Sequence, residues 1–138
     1  MSVVLVNRPP GYELDEDLIR EINSRAFDAG ATVNVTHDVE EAFDGAQVVY
    51  AKSWGSKEFY GSAADDIEER APYRGEWIVD AEKMGRTDNA LFMHCLPVRR
   101  NCIVTDEVID SPASVVIEEA ENRLHVQKAI MARLMTEV

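Results

Sequence analysis

Short apolar runs alternate with segments of helical periodicity along this chain of 138 residues. Five runs have the length of a strand, and they lie at residues 3–7, 32–36, 47–51, 90–94 and 114–117. Strands that alternate with helices are typical of a parallel sheet covered on both faces. The pattern therefore predicts a doubly wound α/β fold, Rossmann-like, with a five-stranded parallel sheet flanked by helices.

Helix-capping residues separate these strands. Asp15 opens the first predicted helix and Gly30 follows its end, while Asp38 opens a second, short helix. The predicted helices cover about residues 15–29, 38–45, 63–70, 105–109 and 119–137. The long irregular stretch from residue 52 to about residue 75 is unusual for a compact domain and suggests a functional or mobile loop.

Composition narrows the class of protein. The chain carries 14 basic and 26 acidic residues, a net charge of −12, which disfavours nucleic acid and anionic membranes as partners. No apolar run approaches the roughly 18 residues needed to span a bilayer, and the N-terminus lacks the basic region and cleavage site of a signal peptide. Two cysteines, Cys95 and Cys102, form no disulfide framework, so a reduced, cytoplasmic protein is expected.

Residues with chemical potential cluster after the predicted strands. In doubly wound sheets, ligands bind beyond the carboxyl ends of the strands. The residues that fall in such positions are Arg8, Lys52, Cys95, Arg99 and Arg123.

Cys95 has two interpretations from the residues alone. It could orient an amine or act as a nucleophile, or it could be an inert, buried thiol. Adjacent strand residues point to opposite faces, so His94 is not expected to activate it. The cysteines and the three histidines show no metal-ligand spacing, and no metal site is predicted.

The basic residues also have two interpretations each. Arg99 and Arg100 could bind an anion or neutralise nearby carboxylates. Arg123 could pair with Glu119, four residues earlier on the last helix, or be held for a ligand. Lys52 could meet a carboxylate or be a solvated loop residue.

Two sequence motifs favour the functional interpretation of these residues. His94-Cys95-Leu96-Pro97 and the later run from Glu119 to Ala129, EAENRLHVQKA, resemble the aspartate/ornithine transcarbamylase superfamily in type, order and spacing. The intervening VTDEVIDSP at residues 104–112 is similar too, and the likeness covers essentially the whole chain. Ordinary ornithine enzymes carry Ser-Met-Gly and His-Arg-Gly where this chain has AKSWG at residues 51–55 and VRRN at 98–101. These segments look like the N-acetylornithine and N-succinylornithine branch.

The resemblance implies a role for each candidate. Cys95 and the Leu96 carbonyl would line the carbamoyl and attacking-amine position, and Arg123 would bond the carbamoyl oxygen, so Cys95 and Arg123 are the catalytic candidates. Lys52, Arg99 and Trp54 would bind the acylated ornithine. The Leu96-Pro97 peptide would be cis, as in the family. The small-molecule substrates would be carbamoyl phosphate and the acylated ornithine, and no metal or organic cofactor is implied.

The chain also departs from the family. Full enzymes have an N-terminal domain with a Ser-x-Arg-Thr phosphate cradle, and this motif does not occur here. Residues 1–138 are therefore expected to be the ornithine- or acylornithine-binding domain of an arginine-biosynthesis carbamoyltransferase, inactive alone. The full-length family is expected to be a homotrimer, and the acylornithine branch has a knot in this domain. Acetyl and succinyl substrates are not distinguished.

Other classes remain as alternatives. A non-catalytic amino-acid-binding fragment or an ornithine carbamoyltransferase would share most of these residues. A dinucleotide-binding oxidoreductase is disfavoured because the first strand leads into Arg8-Pro9-Pro10-Gly11 and not into a Gly-x-Gly-x-x-Gly turn. A phosphoacceptor receiver domain would need an Asp ending the third strand, which ends at Ala51-Lys52.

Overall fold

The computed structural model describes residues 2–55, 58–59, 61–73 and 75–136, apart from the side chain of Ala63. These residues form two compact units. The first unit comprises Met1–Asp44 and Trp54–Ile78, and the second comprises Gly45–Ser53 and Val79–Val138.

The first unit is built on two parallel strands joined by a helix. Its elements are β1 (Ser2–Asn7), α1 (Glu16–Asp28), β2 (Ala31–Thr36), α2 (Val39–Phe43), α3 (Ala63–Arg70) and a 3-10 turn (Ala71–Tyr73). The strands pair in register from Ser2 beside Ala31 to Asn7 beside Thr36. Both predicted caps are present, because Asp15 and Asp38 each accept hydrogen bonds from backbone N–H groups of the helix that follows.

The second unit contains the other strand pair. Its elements are β3 (Val48–Tyr50), α4 (Ala81–Gly85), β4 (Leu91–Met93), α5 (Asp106–Ile109) and α6 (Val116–Thr136). The strands β3 and β4 are parallel, with Val49 beside Phe92. Phe92 and Val104 are fully buried, and they anchor an apolar core that also includes Val79, Ala90, Ile103, Val108, Ile109 and Val116.

The α/β class is confirmed, but the sheet differs from the predicted one. Within the described residues, the strands form two sheets of two strands each. Residues 114–117 do not form a fifth strand. Ser114 makes one isolated parallel bridge to Phe92, and helix α6 starts at Val116, three residues before the predicted start. The β-branched run Val115-Val116-Ile117 favours a strand locally, but the helical bond from the Glu119 N–H to the Val115 carbonyl replaces it.

One helix was not predicted. Asp80 caps α4 by accepting a hydrogen bond from the Lys83 N–H at 2.9 Å, and its carboxylate also pairs with the Lys83 ammonium. An acidic cap three residues before a lysine was the available signal in the sequence.

Helix α6 exposes most of its apolar side chains. Those that face solvent are Ile117, Leu124, Val126, Ile130, Met131, Leu134 and Met135. None of the helices in the described part of the chain has the length and apolar character needed to cross a membrane.

Candidate functional site

The site in the second unit lies where β3 and β4 end side by side. Tyr50 pairs with Met93, and the Ala51 N–H donates to the Met93 carbonyl at 3.0 Å. Because the two strands are parallel and in register, the residues that follow them emerge at the same edge. Lys52 and Cys95 each lie two residues beyond their strand.

Lys52 and Cys95 are in direct contact at this edge. The Lys52 Nζ donates to the Cys95 Sγ at 3.1 Å. The Lys52 hydrogen bond lowers the pKa of the Cys95 thiol, an effect that partial burial opposes and that the positive charge of Lys52 reinforces. Cys95 is partly exposed, so the contact favours an accessible thiolate and not an inert buried thiol.

Tyr50 and Glu119 form a second contact beside this pair. The Tyr50 hydroxyl donates to Glu119 Oε1 at 2.7 Å. This hydrogen bond, with smaller effects from burial and the negative charge of Glu119, raises the pKa of Tyr50 to about 12. Tyr50 therefore remains a neutral hydroxyl at physiological pH and ties the first turns of α6 to the end of β3.

His94 is buried behind the site. Its side chain is 2% exposed, and its Nδ1 accepts a hydrogen bond from the Leu96 N–H at 3.0 Å. Burial lowers the pKa of His94, and the charge of Lys52 lowers it further. A neutral ring that accepts at Nδ1 carries its proton at Nε2, which has no partner among the described residues. His94 thus holds the backbone after Cys95 rather than bonding to the thiol.

The peptide between Leu96 and Pro97 is cis, which confirms the expectation from the resemblance. Leu96 itself has a φ of 44°. Residues other than glycine rarely adopt this left-handed region, so the backbone after Cys95 has an uncommon conformation.

The two adjacent arginines have different surroundings. Arg100 is bound to the carboxylates of Asp106 and Asp110, with N–O distances between 2.6 and 2.8 Å. The hydrogen bonds to Asp110 and Asp106 raise the pKa of Arg100, and Arg100 in turn lowers the pKa of both aspartates. Arg99 is exposed, and its guanidinium makes no hydrogen bond or ion pair with another described residue. Of the two interpretations of the pair, neutralisation of carboxylates describes Arg100, and Arg99 keeps its guanidinium available.

Arg123 lies on α6 one helical turn after Glu119, on the same side of the helix. The alternative of an ion pair between them is not observed, because Glu119 bonds to Tyr50 instead. Arg123 is exposed and has no ion-pair partner within residues 2–55, 58–59, 61–73 and 75–136. The geometry places it on the helix that carries Glu119 but does not bring it into contact with Cys95.

Trp54 belongs to the first unit, where it is part of an aromatic cluster. Its ring makes edge contacts with Tyr12 and Tyr73, at centroid distances of 4.9 and 6.4 Å. The buried Arg70 lies 5.7 Å above the Trp54 ring and donates to the Trp54 carbonyl at 3.0 Å. The contacts of Trp54 in the described residues are therefore structural.

Sequence reasoning overlooked Tyr50 and Glu119 as members of the site. A usable signal existed for Tyr50, since it precedes Lys52 by two residues, and side chains at this spacing share a face of an extended chain. Glu119 was considered only as a partner of Arg123.

The arrangement combines an ammonium group, a polarised thiol and a neutral phenol at one sheet edge. Such a set can bind an anion through Lys52 and accept a hydrogen bond from an amine through the Cys95 sulfur. In the described part of the chain, no group of three or more histidine, cysteine, aspartate or glutamate side chains is placed to hold a metal ion.

Comparison with known proteins agrees with this architecture. The family described as the Asp/Orn binding domain of aspartate/ornithine carbamoyltransferase matches residues 1–134, and the chain belongs to this family. N-acetylornithine carbamoyltransferase of Xylella fastidiosa (strain 9a5c) is 49% identical over 137 residues, which is 99% of this chain and 40% of that protein. The protein of the same name from Xanthomonas campestris pv. campestris is 47% identical over 135 residues, covering 98% of this chain and 40% of that protein.

A solved structure gives the same result at the level of the fold. The crystal structure of acetylornithine transcarbamylase complexed with acetylcitrulline superposes with a TM-score of 0.83 and 47% identity, covering 96% of this chain and 40% of that one. The chain thus spans about two fifths of the length of the relatives it matches.

Proposed function

We propose that this chain is the amino-acid-substrate half of a carbamoyltransferase. The complete protein would transfer the carbamoyl group of carbamoyl phosphate to the δ-amine of N-acetyl-L-ornithine, or of N-succinyl-L-ornithine, in arginine biosynthesis. The observation that carries the proposal is the contact between Lys52 and Cys95 at the shared end of two parallel strands. It provides a cation for a carboxylate directly beside an acceptor for an amine.

Lys52 is proposed to bind the carboxylate of the acylated ornithine. Its ammonium group has three donor hydrogens, so the bond to Cys95 leaves donors for a substrate oxygen. The Arg99 guanidinium is exposed and has no partner among the described residues, which supports its assisting role. Trp54 remains a proposed contact for the acyl substrate, although its described contacts are those of the aromatic cluster.

Cys95 and the Leu96 carbonyl are proposed to orient the attacking amine. The neutral δ-amine attacks the carbamoyl carbon. The bond from that carbon to the phosphate oxygen then breaks, and phosphate leaves. An electron-rich sulfur accepts a hydrogen bond from the amine and directs its lone pair toward the carbonyl carbon. Arg123 is proposed to bond the carbamoyl oxygen, where negative charge develops in the tetrahedral intermediate.

Two observations support the assignment to one domain of a larger enzyme. The chain spans 40% of the relatives that it matches, and α6 exposes seven large apolar side chains. Apolar surface of this extent is typical of a region that another part of a protein covers. We propose that a carbamoyl-phosphate-binding domain completes the site, and that the 138-residue chain alone transfers no appreciable carbamoyl group.

The finer architecture is also proposed. We propose a single, doubly wound, five-stranded parallel sheet in the complete protein, the knot of the acylornithine branch and a homotrimeric assembly. The fold match with acetylornithine transcarbamylase supports the α/β class on which these features would be built. The two free cysteines support a reducing, cytoplasmic location. A crystal structure of the complete protein and its mass in solution would test the sheet, the knot and the trimer together.

Binding of the amino acid by the chain itself is the first test. In calorimetry, N-acetyl-L-ornithine and N-acetyl-L-citrulline should bind the chain, and Lys52→Met should weaken binding by about tenfold or more. Lys128→Met removes an equal charge from exposed helix α6 and should leave binding unchanged. Equal loss in both variants would indicate general electrostatics and would contradict a specific role for Lys52.

Transfer requires the other domain. A chimera that carries this chain in place of the matching 40% of the Xylella fastidiosa relative should form N-acetylcitrulline from carbamoyl phosphate, and the chain alone should not. Preferred carbamoylation of free ornithine would favour the alternative assignment as an ornithine carbamoyltransferase. Ligand binding without transfer by the chimera would favour a non-catalytic amino-acid-binding fragment.

A further inference from the structure

Lys52 and Cys95 form a pair with a reactivity of its own. A primary amine lies 3.1 Å from a thiol sulfur, and both side chains reach solvent. Two-electron oxidation turns a thiol sulfur from a nucleophile into an electrophile, which a neighbouring nitrogen can attack. The same contact that organises the site therefore also places a trapping group beside an oxidisable one.

We propose that Cys95 and Lys52 constitute a redox modification site, at which peroxide oxidises Cys95 and Lys52 then captures the oxidised sulfur as a sulfenamide. In the first step the Cys95 thiolate attacks one peroxide oxygen, the O–O bond breaks, and sulfenic acid and water form after protonation. In the second step the neutral Lys52 amine attacks the sulfenic sulfur, the S–O bond breaks, and a second water leaves. Sulfur is oxidised by two electrons and the peroxide is reduced to water.

Electrostatics favours the sequence of steps. Before oxidation, the Lys52 ammonium stabilises the thiolate that reacts with peroxide. Sulfenic acid formation leaves an uncharged, electrophilic sulfur beside the Lys52 nitrogen. The flexible four-carbon stem of lysine can then close the remaining distance.

The other cysteine provides an internal comparison. Cys102 is also a free, partly exposed thiol of the second unit. Its backbone N–H bonds to the Arg99 carbonyl, and its side chain has no lysine contact within the described residues. Oxidation of Cys102 should therefore stop at ordinary sulfur oxyacids.

The consequence for activity rests on the proposed function. A sulfenamide would join the Lys52 nitrogen to the Cys95 sulfur in one neutral link. The site would then lose both the cation proposed to bind the substrate carboxylate and the sulfur proposed to accept from the amine. A small thiol would reverse the link by attacking sulfur and releasing the Lys52 amine, and a second thiol would then free Cys95. The pair would thus switch substrate binding off under oxidising conditions and on again under reducing ones.

Mass spectrometry of the chain after treatment with hydrogen peroxide tests the proposal directly. The expected product is a Lys52 peptide joined to a Cys95 peptide, with a mass equal to their sum less two hydrogen atoms. Dithiothreitol should separate the two peptides. The link should persist in Cys102→Ser and be absent when peroxide is added to the chain unfolded in urea.

Lys52→Arg is the discriminating variant, because it keeps a positive charge beside Cys95 but removes the primary amine. In this variant Cys95 should accumulate as sulfenic acid and proceed to sulfinic and sulfonic acids. If Cys95 of the unmodified chain follows the same course without a link to Lys52, or pairs with Cys102 instead, the proposal is wrong. The readout is covalent mass alone, so its failure is separate from any failure to bind acylornithine.

Discussion

The Nζ of Lys52 lies 3.1 Å from the Sγ of Cys95, although 43 positions separate the two residues in sequence. The parallel pairing of Tyr50 with Met93 produces this contact, because strands β3 and β4 end at the same level of the sheet. The contact gives the site its cation and its polarised sulfur, and it has measurable consequences for the reactivity of Cys95.

Removing the Lys52 ammonium should make Cys95 less reactive. The hydrogen bond from Lys52 is the largest cause of the lowered pKa of Cys95, so Lys52→Met should raise that pKa and reduce the thiolate fraction at pH 7. Alkylation by iodoacetamide in a Cys102→Ser background should slow roughly severalfold. A rate that is equal in both proteins at every pH would show that Lys52 does not act on the thiol.

Tyr50 should titrate well above an ordinary tyrosine. Its hydroxyl is held by Glu119, which raises the pKa of Tyr50 to about 12, and ultraviolet difference spectra against Tyr50→Phe should show no ionisation of this residue at pH 10. Glu119→Gln should bring the pKa back toward its usual value. The stability loss in Tyr50→Phe should stay below about 1 kcal/mol, because the hydrogen bond is partly exposed.

The buried His94 should make the second unit sensitive to mild acid. Its pKa is lowered in the folded chain by burial, so between the folded pKa and the unfolded value of 6.5 the unfolded state binds more protons. Stability should therefore fall as pH decreases through and below 6.5, until the folded pKa is passed. Urea denaturation across this range would measure the effect.

His94→Asn is the matched control for that titration. Its side-chain carbonyl can accept the hydrogen bond from the Leu96 N–H in place of Nδ1, but it carries no titrating ring. The pH-dependent part of the stability should shrink in this variant. An unchanged pH profile would assign the acid sensitivity to other groups.

Phe92 and Leu91 are neighbours on β4, but their replacement by alanine should affect stability to very different extents. Phe92 is fully buried, so Phe92→Ala should lower the free energy of unfolding by about 3–5 kcal/mol through lost contacts and a cavity. Leu91 is 46% exposed, and Leu91→Ala should change it by less than about 1 kcal/mol. Similar losses in thermal or urea denaturation would contradict the assignment of faces on this strand.

Protection of backbone amides from hydrogen exchange should decrease along α6. The first turn is fixed by the buried Val116 and by the bond from Tyr50 to Glu119, whereas residues 121–136 are exposed. Helical segments without tertiary packing open readily, so amides after residue 121 should exchange faster than that of Glu119, whose N–H donates to the Val115 carbonyl. Equal protection from Glu119 to the end of the helix would indicate that another surface covers it in solution.

Local chemistry let the sequence determine much of the secondary structure. The Asp15 and Asp38 caps and the helix at Ala63–Arg70 depend on neighbouring residues, and so they were predicted correctly. The position of Cys95 after an apolar run also followed from the sequence, and the family motif identified the Leu96-Pro97 peptide as cis. These features need no knowledge of which distant residues meet.

Only the tertiary structure decided the rest, because pairing between distant segments is not encoded in local preference. The run at residues 114–117 has the composition of a strand, yet it contributes one bridge to Phe92 and then becomes helix. The contacts of Tyr50 with Glu119 and of Lys52 with Cys95 depend on strand register. Arg99 and Arg100 are adjacent and chemically identical, and only the folded chain assigns two carboxylates to Arg100 and none of the described residues to the Arg99 guanidinium.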